Sequence, residues 1–309
     1  MTILRWDIES FSEVDLRTKG LDLYSADPST RVLMAQYQID DGPITPWEAH
    51  KGPVPAELHE ALLDPRVEKL AFNAQFERVM TRRVLKIKTP YEGWRCTMSL
   101  AYLQCFKGGL DDVGEQMGLA DEVKKDKEGQ RLIRLFSMPQ KVSKSQPHRI
   151  RDWRTDPADW KQFLDYCRQD VIAETAIWRR LSRFPVPDVE WELYELDQRI
   201  NDRGKPVDMV FVNHAIAMAE RRQKELVDLL REETGLANPN SVAQLLPWLK
   251  GRGYPFDDLN KDTVNKVLNE GTAPAAEKVL RLRQWAARLS IKKYNTLRDT
   301  TGRGDRARF

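Results

Sequence analysis

A chain of 309 residues, 41% of them hydrophobic, is long enough for one large or two ordinary domains with their own cores, which excludes a disordered or fibrous protein. Its 50 Lys+Arg against 47 Asp+Glu leave a net charge of only +3, so any preference for a charged partner has to come from how the charges are distributed. Three cysteines without C-x-x-C spacing exclude a disulfide framework, acids at Asp7 and Glu9 exclude a signal peptide, and no apolar run nears the ~20 residues of a membrane span, so a soluble cytoplasmic protein is expected.

In chain order, residues 2–8 read as a strand and 31–39 (RVLMAQYQI) as a second, with turn chemistry in the intervening GLDLYSADPSTR. A short helix bounded by Pro55 and Pro65 follows, then a strand over 67–73 (VEKLAFN) and a helix over 74–87. This is an α/β alternation. Beyond Cys96 the pattern turns helical over 97–106, 110–119 and 127–139, before a polar, irregular stretch at 141–156 that reads as a surface loop. A long helix then runs from Pro157, well suited to a first helical turn, to Phe184. The prolines of FPVPD (184–188) break it, so the expected division is a domain at 1–187 and a second at 188–309. The second is helical by pattern over 190–204, 208–235, 240–253, 260–271 and 275–297, with Asn240-Ser241 as a cap and Gly235, Gly251 and Gly271 as stops. Residues 299–309 carry no core-forming pattern.

Three segments carry chemistry. In the first strand Asp7 and Glu9 stand two apart and share one face, where two close carboxylates need a proton or a cation to coexist. Mg²⁺ or Mn²⁺, hard ions that prefer oxygen ligands, suit them, although an isolated D-x-E is more often a solvated strand end. On the long helix Tyr166 and Asp170 are four apart and so on one face. The third segment, AFNAQFERV, ends a strand at Asn73 and opens a helix with Phe76 and Glu77, an acid that equally serves the helix dipole. Asp111 and Asp112 read as a cap with a solvated acid, and His50, His59, His148 and His214 show no metal-ligand spacing.

Taken together, the D-x-E strand, Asn73-Ala74-Gln75-Phe76-Glu77 and the Tyr166-to-Asp170 helix resemble, in order and interval, the motifs of the DEDD superfamily of 3′–5′ exonucleases in its tyrosine subclass. The histidine subclass would carry His where Asp165 stands, and the family's usual Asp after Phe is here Glu77. The resemblance implies a ribonuclease H-like (DnaQ-like) domain with a mixed central sheet flanked by helices, acting with two divalent metal ions, Mg²⁺ or Mn²⁺. It further implies that Asp7 bridges both ions, that Glu9 and Asp170 complete one of them, that Glu77 serves the second through water, and that Tyr166 orients the attacking water. Phe11 and Phe76 would stack on the terminal bases of a single-stranded 3′ end, near Asn73; core packing is the other reading for Phe76.

The second half resembles the helical thumb that follows the exonuclease domain in phage-type family A DNA polymerases, in ELDQRINDRGKPVD, NPNSVAQLLPWLKGRGYPF and RLRQWAARLSIKKYNTL. Between Lys278 and Phe309 ten Lys/Arg stand against two acids, a local charge of +8 that leaves −5 for the other 277 residues. Arg281, Arg283, Arg288, Lys292 and Lys293 are therefore expected to meet phosphates of a primer-template duplex, against the common alternative of a solvated helical face. No segment matches the family's palm or fingers, so the chain alone is not expected to polymerise; a truncated polymerase and a split polymerase with its palm and fingers on a separate chain both stay open. The expected function is a proofreading 3′–5′ exonuclease acting on DNA in replication, in the bacterial host cytoplasm if the gene is a phage's. A free-standing exonuclease acting on RNA, and a catalytically weak DNA-binding or assembly subunit, are the alternatives.

Overall fold

The N-terminal run forms strand β1 (Ile3–Phe11) at the centre of a five-stranded sheet in the computed structural model, which describes residues 2–119, 128–144, 146–184, 186–271, 273–287, 292–302 and 304–308. β1 is buried along almost its whole length because both its faces are covered, as the near-continuous apolar run demands. The first unit continues with helix α1 (Leu16–Ala26), β2 (Arg31–Ile39), β3 (Thr45–Glu48), α2 (Ala56–Leu63), β4 (Glu68–Ala71), α3 (Ala74–Arg83), β5 (Trp94–Cys96), α4 (Thr97–Leu103), α5 (Leu110–Gln116), α6 (Glu128–Phe136), α7 (Pro157–Leu181) and α8 (Asp188–Arg203). The sheet order is β3-β2-β1-β4-β5. β1/β2 and β2/β3 are antiparallel, while β1/β4 and β4/β5 are parallel, so the expected mixed sheet is present.

Leu4, Trp6 and Ile8 of β1 enter a core with Leu58, Leu62, Met80 and Trp94 on one side of the sheet. On the other side Phe11 joins Leu33, Met34, Leu132, Phe136, Trp160, Phe163 and Tyr166, a cluster built with α6 and α7. β4 pairs with β1 only from Ile3 to Arg5, so Asp7 and Glu9 continue past its end. A register irregularity opposite β2 falls directly after Glu9, a bulge of the kind that turns side chains at functional edges.

Sequence reading differs from the fold in several places. The GLDLYSADPSTR stretch is largely helix, α1 being capped by the Asp15 side chain, which accepts from Arg17 N at 2.9 Å, and kinked at Gly20, whose φ of 79° a helical residue with a side chain would resist. The strands β3 and β5, of four and three residues, carry too little pattern to be read. The irregular 141–156 stretch is free of helix and strand among its described residues, as expected.

The chain divides into two compact units, residues 1–205 with Arg308 and residues 206–307, so the first unit extends past the expected 187/188. The reason is α8, which is fastened to the first unit: Asp202 accepts from Arg78 at 2.8 and 2.9 Å, and Glu195 pairs with Arg95 at 3.3 Å. After the short β6 (Lys205–Pro206), the second unit contains α9 (Met209–Thr234), α10 (Val242–Lys250), α11 (Lys261–Glu270), α12 (Pro274–Ala286), α13 (Lys292–Thr300), β7 (Thr301–Gly302) and β8 (Arg306–Ala307). Its core joins Leu226 and Leu230 to Leu245, Leu249, Val279 and Leu280. Gly235, Gly251 and Gly271 end helices as expected, and Ser241 precedes α10. The expected 275–297 helix is α12 and α13, with 288–291, and so Arg288, outside the described residues. The C-terminus corrects its expectation: β7 and β8 pair antiparallel and bury Ala307. No helix among the described residues is long and apolar enough to cross a membrane.

Candidate metal centre

α7 crosses the face of β1 that presents Asp7 and Glu9, and its period brings Tyr166, Cys167, Asp170 and Glu174 onto the buried side. Ligand oxygens of Asp7, Glu9 and Asp170 lie within 4.8 Å of one another, and Glu9 and Asp170 are only 9% and 7% exposed. The D-x-E strand and the Tyr-to-Asp helix thus converge from 160 residues apart because a central strand and a long helix share one packing face. Cys167 Sγ reaches Asp7 Oδ2 at 3.3 Å and its backbone oxygen at 3.5 Å, tying the helix to the strand at this point. Burial, then the charges of Asp7, Glu9 and Asp170, push that thiol well up, so it stays a protonated donor.

Tyr166 stacks on Phe163 at 6.2 Å, and Phe163 on Phe136 at 5.4 Å. Its phenol is raised far above the ordinary range by burial and next by the charges of Asp170, Glu9 and Asp7. The hydroxyl therefore keeps its proton and its dipole beside the carboxylates.

Glu77 sits in the first turn of α3, just past the end of β4, and is 5% exposed. It lies outside the 4.8 Å group, yet it feels it: burial and then Asp7 raise its carboxyl well above the usual range. Its Oε2 has no hydrogen-bond partner among the described residues. A buried carboxylate in that position needs a proton or a cation. Glu174, one turn beyond Asp170, is likewise buried, accepts from Thr97 Oγ1, and is pushed up to about 7, burial outweighing the opposing effects of Thr97 and Arg5. Sequence reasoning passed over Glu174 and Cys167, although the 166, 170, 174 spacing on one helix held the signal.

The nucleic-acid candidates fall differently. Phe11 is wholly buried, with the Arg31 guanidinium 4.3 Å over its ring, so it offers no face to a base; this corrects its expected stacking role. Phe76 is half-buried, packed on the core 6.3 Å from Tyr24, and Asn73 is exposed at the start of α3. On α12, Arg281 is exposed and paired with Glu277 at 2.8 Å and Arg283 is half-buried; Lys292 and Lys293 are exposed in the first turn of α13.

No family model matches the chain. It is 39% identical over 296 residues, 95% of its length, to the DNA polymerase of Bacillus phage SP02. The two are homologous. The chain spans 45% of that relative's length. Among solved structures, the POL domain of Pol1 from M. smegmatis, determined in complex with DNA primer-template and dNTP, matches 90% of this chain and 46% of its own, at TM-score 0.51 and 15% identity. NrnC of Brucella melitensis matches 65% of this chain and 85% of its own at a TM-score of 0.35 and 14% identity.

Proposed function

We propose that the first unit is a 3′–5′ exonuclease of the DEDD superfamily, tyrosine subclass, on a ribonuclease H-like sheet, acting as the proofreading part of a family A DNA polymerase. The observation that carries this reading is the convergence of the Asp7, Glu9 and Asp170 oxygens within 4.8 Å, together with a buried Glu77 that feels the Asp7 charge and whose Oε2 has no hydrogen-bond partner among the described residues. The donor set is all carboxylate, which suits hard divalent ions such as Mg²⁺ or Mn²⁺ and fits two of them better than it fits none. Asp7 is central to the set and would bridge, Glu9 and Asp170 would hold one ion, and Glu77 would hold the other. When bound, such ions lower the pKa of water and neutralise charge at the scissile phosphodiester.

The chain's own groups do the rest. The Tyr166 hydroxyl, four residues from Asp170 on the same helix face and still protonated, orients the attacking water. Cys167 keeps the Asp7 carboxylate in one rotamer. The exposed Lys292 and Lys293, with Arg281 and Arg283, belong to a thumb-like second unit that neutralises phosphates of a primer-template duplex without reading sequence.

The test is direct. With Mg²⁺ or Mn²⁺ the protein should shorten 3′-labelled single-stranded DNA, and Asp7→Ala should abolish this. Undiminished cleavage by that variant sinks the role of Asp7, no cleavage by the parent favours a binding module, and preferred cleavage of an RNA oligomer favours the RNA alternative.

A further inference from the structure

Helix α6 contains a glycine with no conformational reason to be there. Gly129 is buried, is helical, and is not among the glycines with positive φ, so alanine would serve the helix better. The space around it supplies the reason. A Cβ added to Gly129 would run into the edge of the Tyr166 ring, at Cε2, at Cδ2 and, 2.8 Å away, at Cζ, the carbon that bears the hydroxyl.

Neither side of this contact is free to yield. On its own helix, Tyr166 is stacked on Phe163 with an interplanar angle of 15°. α6 is held to α7 by Arg131, which donates to Asp159 at 3.0 and 3.1 Å and to Gln162 at 3.3 Å, and by Leu132 and Phe136 in the shared aromatic cluster. A methyl group at 129 therefore displaces the phenol from Asp170 or lifts α6 from α7.

We propose that Gly129 is a positioning residue for Tyr166: the bare α6 backbone sets where the tyrosine hydroxyl stands against the carboxylates. The inference rests on the nuclease reading above and adds to it a residue on an element that contributes no metal-binding side chain. Gly129→Ala should lower kcat on the order of 10²-fold, as expected of a misplaced catalytic group, with KM for the 3′ end unchanged. In a Tyr166→Phe background, which already lacks the hydroxyl, the same substitution should lower kcat no further.

A second cycle needs no activity. Gly129→Ala should lower the melting temperature of the parent but raise or leave unchanged that of Tyr166→Leu, where the overlap is relieved and the helix propensity of alanine remains. Full kcat in Gly129→Ala, an equal further loss in the Tyr166→Phe background, or additive melting shifts would each overturn the inference. A parent that cleaves nothing overturns the nuclease reading instead, and the melting cycle then decides the contact by itself.

Discussion

The Cys167 thiol donates across 3.3 Å to Oδ2 of Asp7, so the helix that delivers Tyr166 and Asp170 is tied directly to the strand that delivers the other carboxylates. Outer partners of this kind orient a ligand, and losing one typically weakens metal binding on the order of 10- to 100-fold. Cys167→Ala should weaken Mn²⁺ binding, read by calorimetry, by about tenfold, whereas Cys167→Ser, which keeps a donor, should stay near the parent. Equal binding in all three proteins would remove the thiol from the account.

Glu77 holds a buried oxygen that no described residue satisfies, a cost that binding function would explain. Glu77→Gln should therefore raise the melting temperature in chelator while reducing cleavage on the order of 10²-fold. Glu77→Asp, restoring the family's usual acid, should leave cleavage similar or higher. A stabilised and fully active Gln variant would assign Glu77 to the fold alone.

Arg78, adjacent to Glu77, is wholly buried and pairs with Asp202 at 2.8 and 2.9 Å, with Gln198 at 3.2 Å. Arg78→Met leaves the half-buried Asp202 with the Tyr91 hydroxyl, 2.7 Å away, in place of its guanidinium partner and should cost about 1.5–3 kcal/mol in urea unfolding of the first unit. Adding Asp202→Leu should recover much of that loss, because the penalty lies in the stranded charge.

Lys69 is fully buried, its ammonium donating to the Asp64 and Val67 carbonyls at 2.5 and 2.9 Å, and burial lowers its pKa to about 8. Below pH 8 the lysine is charged in both states and the folded state carries the desolvation cost. Between about 8 and the ordinary 10.5 the unfolded chain holds a proton that the folded chain has released, so stability rises with pH. The parent should thus gain stability relative to Lys69→Met between pH 8 and pH 10, as followed by urea denaturation. A difference independent of pH would mean that Lys69 titrates normally.

The sequence by itself determined those features written in local periodicity and order. β1, β2 and α7 follow from runs long enough to carry a period, and Asp7, Glu9, Tyr166 and Asp170 were recognisable because their face on a strand or a helix is set by two- and four-residue spacing. Gly235 and Gly271 stop helices in the positive-φ backbone that their chemistry allows. Tertiary structure decided the rest, because those features depend on what arrives from elsewhere in the chain. Strands as short as β5 exist only through their neighbours, and Phe11 is buried only because α6, α7 and Arg31 close over it. The unsatisfied Glu77 oxygen, the Cys167 contact to Asp7 and the place Gly129 leaves for Tyr166 are distances between elements far apart in sequence, and no local pattern encodes a distance.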